Sequence, residues 1–319
     1  MPEAWTSRRV VVTGGTGFLG SHLVRRLLRE GAEVHVVSRS ITPKRSGRAA
    51  GVPVWHPLDL TEKAEPARVL ALIRPDVVFH LAAYGTSPAQ SDAELMARVN
   101  TCGTLYLLEA CRRAGRPLVI HASSCSERAL ADLSDYSDQR TLYAATKLAA
   151  TGICQAYDRE GIVPCVIARL FTVYGPGEPS HRLIPTVARA LLRGETPHVS
   201  AGDQRRDFIY VDDVIEGLLH LACAPSAPGQ LIEIGTGKGI SVHDVVETLV
   251  RLSGYDIPPE YGTVPKRWDD VAMLQADPES AARIAGWRAT TSLEEGLRKA
   301  WTWHKRQVAE KESSVSLAH

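Results

Sequence analysis

Short apolar runs alternate with longer stretches of helical periodicity through the first half of the chain. Residues 9–13, 33–37, 52–55, 76–80, 118–121 and 163–170 read as strands, several of them almost wholly apolar. Between them, amphipathic patterns predict helices from the glycine-rich turn to residue 29 and over 62–73, 93–114 and 142–160. Strands that alternate with helices require parallel crossovers, and continuously apolar strands require cover on both faces. The fold class expected is α/β, a doubly wound parallel sheet of the Rossmann type. Its ligand crevice lies at the strand carboxyl ends.

After Leu170 the rhythm breaks. Tyr174-Gly175-Pro176-Gly177-Glu178-Pro179 is a loop, and later elements are shorter and richer in Pro and Gly. Residues 1–170 are expected to form the dinucleotide-binding domain, with 207–235 returning to it. Residues 171–206 and 236–308 are expected to form a smaller substrate lobe, and 309–319 a disordered tail.

Charge changes this picture by exclusion. A net charge of +1 leaves no basic footprint for a nucleic acid. No apolar run reaches the roughly 18 residues of a membrane span, and the first residues lack the apolar core of a secretory signal. A cytoplasmic location is expected. The six cysteines show neither a CxxC pair nor a metal-ligand rhythm, so reduced thiols and no metal are expected. His22, His80, His121 and His220 fall in or beside core elements and read as satisfied structural histidines.

Gly15-Thr16-Gly17-Phe18-Leu19-Gly20 fits GxGxxG, and Gly14, Gly17 and Gly20 fit the related GxxGxxG spacing. The turn follows a strand and opens a helix, as pyrophosphate binding at a helix N-terminus demands. An NAD site usually carries an acid about twenty positions later, at the end of the second strand, to accept from the ribose 2′-hydroxyl. Here the strand ends Val37-Ser38-Arg39, with no Asp or Glu between Glu33 and Asp59, whereas Arg39, Lys44, Arg45 and Arg48 are present. A guanidinium beside Ser38 suits a 2′-phosphate, so NADP(H) is preferred, with NAD(H) as the alternative.

Tyr143 and Lys147 lie one turn apart on a predicted helix. A free phenol titrates near 10, and a proton shuttle at neutral pH needs about 4 kcal/mol of preference for the phenolate. An ammonium one turn away supplies part of it. Ser123-Ser124-Cys125-Ser126 stands at the end of strand 118–121, where a hydroxyl can hydrogen-bond an oxygen that gains charge during hydride transfer.

Together these motifs, with Asp59, His80-Leu81-Ala82-Ala83, Asn100 and Arg206-Asp207-Phe208-Ile209-Tyr210-Val211-Asp212-Asp213, resemble the extended short-chain dehydrogenase/reductases, the NAD-dependent epimerase/dehydratase family acting on nucleotide sugars. The resemblance covers roughly residues 8–255. It implies Tyr143 as acid/base, Ser124 as hydroxyl donor and Lys147 as a partner of both tyrosine and nicotinamide ribose. It implies cofactor contacts from Gly14, Gly17, Phe18, Leu19, Gly20, Ser38, Arg39, Asp59, Leu60, Leu81, Ala82 and Ala83, with Asn100 supporting the site. Arg206 looks like the arginine that grips a substrate diphosphate, and Arg182 and Leu183 occupy the segment that lines the nucleotide pocket. Thr172 stands where the family usually has asparagine. Arg128-Ala129 stands where it usually has Tyr-Gly, so the rim of the sugar pocket is unusual.

The 4,6-dehydratases of the family place Asp-Glu directly after the catalytic hydroxyl residue, because elimination needs further acid/base groups. Here Cys125-Ser126 follows, and Glu127 comes one position too late. With the basic stretch after the second strand, the preferred reading is an NADPH-dependent ketoreductase of a nucleotide-linked 4-keto-6-deoxy sugar. The alternative is an NAD-dependent 4-epimerase. A non-catalytic NAD(P) sensor is disfavoured by the presence of Ser124, Tyr143 and Lys147. A homodimer is expected through a four-helix contact of 93–114 and 142–160, using Leu105, Leu108, Ala149 and Ile153.

Overall fold

The computed structural model describes residues 4–39, 51–130, 141–265 and 271–316, with side chains to residue 310. Seven parallel strands form the main sheet. They are β1 (Arg9–Thr13), β2 (Glu33–Ser38), β3 (Val54–Pro57), β4 (Val77–His80), β5 (Leu118–Ser124), β6 (Cys165–Leu170) and, later in the chain, β10 (Leu231–Ile234). Their order across the sheet is β10-β6-β5-β4-β1-β2-β3, so it reverses between β1 and β4. That switch point puts the ends of β1 and β4 side by side, with Thr13 opposite His80.

The central strands are apolar because both faces are covered: Val10, Val11 and Val12 are wholly buried, as are Val78 and Phe79. Helices α1 (Phe18–Arg29), α2 (Ala64–Ile73) and α5 (Leu142–Arg159) each follow a strand. The expected helix over 93–114 is three pieces in one run: α3 (Ala93–Ala97), a π-helical turn (Arg98–Cys102) and α4 (Gly103–Arg113). Asn100 is buried at the centre of the π turn.

The chain divides into two compact units, residues 1–170, 215–234 and 279–288, and residues 171–214, 235–278 and 289–319. The second unit holds a small sheet of β7 (Thr172–Tyr174), β9 (Arg205–Tyr210), β11 (Gly239–Ser241) and β13 (Met273–Leu274). It also holds a strand pair, β8 (His198–Val199) with β12 (Glu260–Tyr261), and helices α6 (Leu183–Leu192) and α8 (Val242–Ser253).

Three expectations are corrected. Arg205–Tyr210 does not return to the main sheet but pairs with β7, β11 and β13. The return is made by β10, after helix α7 (Val211–Cys223). Helix α10 (Leu293–Ser316) continues into the segment expected to be a disordered tail. Leu108 is not an outer residue: its side chain is sealed in the first unit's core, while Ala149 is exposed and Leu105 and Ile153 are half-buried.

Among the described residues no helix is long and apolar enough to cross a membrane, and no group of His, Cys, Asp and Glu could hold a metal ion. No disulfide joins any of the six cysteines, all of which are among the described residues.

Candidate active site

The turn between β1 and α1 is built by exclusion of side chains. Gly14 has φ +69°, and a Cβ there would lie 2.8 Å from the Ala82 amide nitrogen, so the turn packs against the end of β4. A Cβ on Gly20 would collide with the Gly14 carbonyl oxygen. Gly17 caps α1 with extended backbone and no side chain, and no acid lies in the first turn. The helix N-terminus therefore presents uncapped amides and its partial positive charge, which fits a pyrophosphate. Phe18 and Leu19 form the first turn.

Ser38 ends β2 half-buried, and Arg39 follows it exposed; Lys44, Arg45 and Arg48 lie outside the described residues. Asp59 is half-buried after β3, its Oδ1 accepting from the Thr61 amide and hydroxyl, both at 2.9 Å. Buried Leu60 packs beneath Gly103.

A chain of hydrogen bonds joins the glycine turn to the helix carrying Tyr143. The Ala82 amide donates to Thr13 Oγ1 (3.1 Å), which lies 2.8 Å from His80 Nδ1. His80 Nε2 meets Thr104 Oγ1 at 2.9 Å, and Thr104 donates to the Asn100 carbonyl at 2.6 Å. With Thr13 and Thr104 each spending its one proton onward, the network assigns the histidine hydrogen to Nε2. Burial, then the nearby Lys147 charge, pushes His80 down to about 3, so it is neutral. The Asn100 side chain accepts from the Tyr84 amide and donates to the Tyr84 carbonyl, both at 2.8 Å, and donates to Thr146 Oγ1 at 3.0 Å. Thr146 in turn donates to the Tyr143 carbonyl at 3.0 Å. The π turn is what aims Asn100 at both partners, since π turns recur where a helix must re-aim one residue. Leu81 and Ala83 flank Ala82, half-buried.

Thr141 caps α5, its hydroxyl accepting from the Ala144 amide at 3.1 Å. Tyr143 is half-buried in the first turn. Lys147, one turn on, is buried and donates to the Ala122 carbonyl at 2.6 Å. That carbonyl belongs to β5, two residues before Ser124, so the ammonium is pinned under the strand end. Burial lowers Lys147 from its usual range to about 8, against the opposing pull of Glu127 and Cys154. Ser124 is half-buried, its hydroxyl 2.8 Å from that of Ser126.

Under the serines lies a charged floor that the sequence reading missed. Glu127 is wholly buried and accepts from Ser123 Oγ (2.6 Å), the Ser124 amide (3.2 Å) and Thr151 Oγ1 (3.1 Å), with Arg169 Nη2 at 3.4 Å. Arg169 also faces Glu233 of β10 at 3.7 Å, and Arg128 grips Glu233 through two nitrogens at 2.9 and 2.6 Å. The available signal was a charge in each of two apolar strands, Arg169 in β6 and Glu233 in β10.

His121 departs from the expected satisfied histidine: among the described residues neither ring nitrogen has a hydrogen-bond partner, and burial, Lys147 and His80 push it well below its usual range. Its neutral ring packs 5.3 Å from that of His80.

Thr172, Arg182, Leu183 and Arg206 belong to the second unit. Thr172 lies on β7 opposite Phe208, two residues past Arg206 on β9. Arg206 Nη1 donates to the Val271 carbonyl at 2.6 Å. Arg182 occupies the N-cap position of α6 without a side-chain cap, its Nε 3.1 Å from Glu178. Leu183 opens that helix. Burial raises Glu178 to about 7, against the Arg182 charge.

A doubly wound sheet with a glycine turn at its switch point, and a helix carrying tyrosine and lysine one turn apart, defines an NAD(P)-dependent enzyme of the extended short-chain dehydrogenase/reductase type. The chain belongs to the NAD dependent epimerase/dehydratase family, whose sequence model matches residues 10–235. It is 31% identical over 312 residues to a UDP-glucose 4-epimerase of Mycolicibacterium smegmatis, covering 91% of this chain and 96% of that one. It is also 31% identical over 312 residues to a dTDP-6-deoxy-L-talose 4-dehydrogenase (NAD(P)(+)) of Kitasatospora kifunensis, covering 92% of this chain and 95% of that one. Among solved structures, MoeE5 in complex with UDP-glucuronic acid and NAD superposes with a TM-score of 0.80. It is 35% identical, with 94% of this chain and 99% of that chain covered.

Proposed function

We propose that the chain is an NAD-dependent nucleotide-sugar 4-epimerase, which oxidises the sugar at C4 and reduces it again on the other face. The observation that carries the reading is the acid/base inventory at the end of β5. The carboxylate of Glu127, which follows Ser124 by three residues, is buried and engaged by Ser123, Thr151 and Arg169. Oxidation and reduction at one carbon need one proton shuttle, whereas elimination needs more.

When bound on the glycine turn, the dinucleotide supplies the hydride-accepting ring. Tyr143 then takes the C4 hydroxyl proton, and its phenolate is stabilised by the Lys147 ammonium. Ser124 donates a hydrogen bond to the same oxygen and holds it in place. Lys147, one turn from Tyr143 on α5, is held in a single rotamer by the Ala122 carbonyl, so its charge needs no search to find its place. Arg206 and Arg182 are proposed to bind the diphosphate, which suits the guanidinium fork. The nucleotide sugars bound or converted by the relatives support this substrate class. A homodimer through α4 and α5 belongs to the same reading, with Leu105, Ala149 and Ile153 on the shared face; sedimentation as a monomer would remove it.

A second reading, an NADPH-dependent 4-ketoreductase of a 4-keto-6-deoxy sugar, is favoured by one feature: β2 ends Ser38-Arg39 with no acid for a ribose hydroxyl. The talose 4-dehydrogenase supports the same chemistry. Interconversion of UDP-glucose and UDP-galactose without added reductant supports the epimerase. Stoichiometric NADPH oxidation by a 4-keto-6-deoxy nucleotide sugar supports the reductase instead. Tyr143→Phe is expected to lower either activity by roughly a thousandfold or more while cofactor binding persists; full turnover in that variant refutes both.

A further inference from the structure

The reaction centre stands on a buried carboxylate. Burying a charge is costly unless it is paired and hydrogen-bonded, and Glu127 is fully buried three residues after Ser124. Its Oε1 binds both the Ser123 hydroxyl and the Ser124 amide, which fixes the backbone from which the Ser124 hydroxyl projects. Both its oxygens lie within hydrogen-bond reach of Thr151, one helical turn after Lys147 on α5. Lys147 in turn bonds the Ala122 carbonyl, adjacent to Ser123. Carboxylate and ammonium are therefore clamped between the same strand end and the same helix.

We propose that Glu127 is a positioning residue of the reaction centre, whose buried negative charge keeps the Lys147 ammonium charged and whose hydrogen bonds set the Ser124 backbone. This deepens the reading in which Lys147 serves Tyr143, and rests on it. Among the described residues, the other ionisable groups near the ammonium are Tyr143 one turn earlier on α5, His80 on β4 and His121 on β5, both histidines held neutral, and Cys154 on α5. Arg169 on β6 lies 3.4 Å from Glu127 and is itself shared with Glu233. Among the described residues Glu127 is the carboxylate that acts on the ammonium, and without it burial would drive Lys147 toward the neutral amine.

The test reads Lys147 directly and needs no sugar substrate. The side-chain carbon beside the lysine amine is followed by NMR across pH, with and without NAD, and assigned by its loss in Lys147→Met. Glu127→Gln keeps an acceptor oxygen and removes the charge, and is expected to lower the Lys147 midpoint by roughly one pH unit. Glu127→Asp keeps the charge one methylene further back and is expected to restore most of it. An unmoved midpoint in Glu127→Gln, or equal shifts in both variants, overturns the proposal, because packing damage does not distinguish charge from its absence. If Glu127→Gln fails to fold, Glu127→Gln/Arg169→Met leaves no cation stripped of its carboxylate; its midpoint is again expected below wild type, and an unmoved one counts equally against the idea. Turnover by wild type and Tyr143→Phe judges the catalytic reading separately. A lysine that answers to Glu127 in a protein whose Tyr143→Phe variant turns over normally would keep the electrostatic link and discard the role at Tyr143.

Discussion

Asp207 in the second unit and Lys147 in the first are both buried and both ionisable, and they are held in opposite ways. Asp207 accepts from the Thr236 amide and hydroxyl, the Gly237 amide and the Ala276 amide, at 2.8, 2.7, 2.8 and 3.1 Å. Its donors are fixed by the backbone of two loops, so the charge closes those loops and is itself solvated by them. Among the described residues Lys147 has one hydrogen-bond partner, the Ala122 carbonyl, and it is depressed to about 8 by burial. A carboxylate wrapped in amides is a structural rivet. An under-solvated ammonium, its charge favoured by a second buried group, is a cost the fold bears, and such costs gather where chemistry is done.

The largest expected effect breaks the rivet. Asp207→Ala strands three backbone amides and a hydroxyl, each worth about 1–3 kcal/mol when buried without a partner. Urea denaturation should show a loss of about 4 kcal/mol or more in the transition of the second unit, unchanged between neutral and mildly alkaline pH. A loss below about 1 kcal/mol would mean the loops close without the carboxylate.

The same contrast explains what could be read from the sequence. Asp207 lies in Arg206-Asp207-Phe208-Ile209-Tyr210, a recognisable run, and the glycine turn, the strands and the Tyr143–Lys147 spacing all follow local rules of turn chemistry and periodicity. The charged floor does not. Glu127 meets Arg169 and Thr151 across 42 and 24 residues of sequence, and Arg128 meets Glu233 across 105. No periodicity encodes such pairs. Residues 207–210 depart from the expectation for a related reason: a strand next to a helix looks the same whether it joins the large sheet or the small one. Asn100 was placed in a helix, but the π turn that aims its amide leaves no mark on the apolar pattern.

Lys147→Met addresses the other side of the comparison. Held at about 8 rather than its usual 10.5, the folded protein binds the lysine proton less tightly than the unfolded chain does. The penalty is therefore complete below pH about 8 and fades as pH rises toward 10.5. It amounts to about 3 kcal/mol, less about 1 kcal/mol for the bond to Ala122. The variant should accordingly be about 2 kcal/mol more stable than wild type at neutral pH, with the advantage gone near pH 10, while turnover collapses. Denaturation series at several pH values measure this. A variant less stable than wild type at neutral pH would show that the ammonium is a net support of the fold and that the two regions are alike.

The smallest effect tests the link between the serines and the buried acid. Ser123 makes the shortest hydrogen bond to Glu127, at 2.6 Å, and a hydroxyl bonded to a charged acceptor contributes about 1.5–3 kcal/mol. Ser123→Ala leaves the carboxylate its bonds to the Ser124 amide, Thr151 and Arg169, so a loss at the low end, about 1.5 kcal/mol, is expected. Thr236→Val, which removes one of the four donors to Asp207, should cost about the same, because both lose one hydroxyl from a carboxylate that keeps its other partners. Equal losses would place the difference between the two regions in the ammonium above Glu127 and not in how the acids are held. If Ser123→Ala costs nothing while Thr236→Val costs its share, Glu127 is held by Arg169, Thr151 and the Ser124 amide, and the arm that sets Ser124 shrinks to that one amide at 3.2 Å.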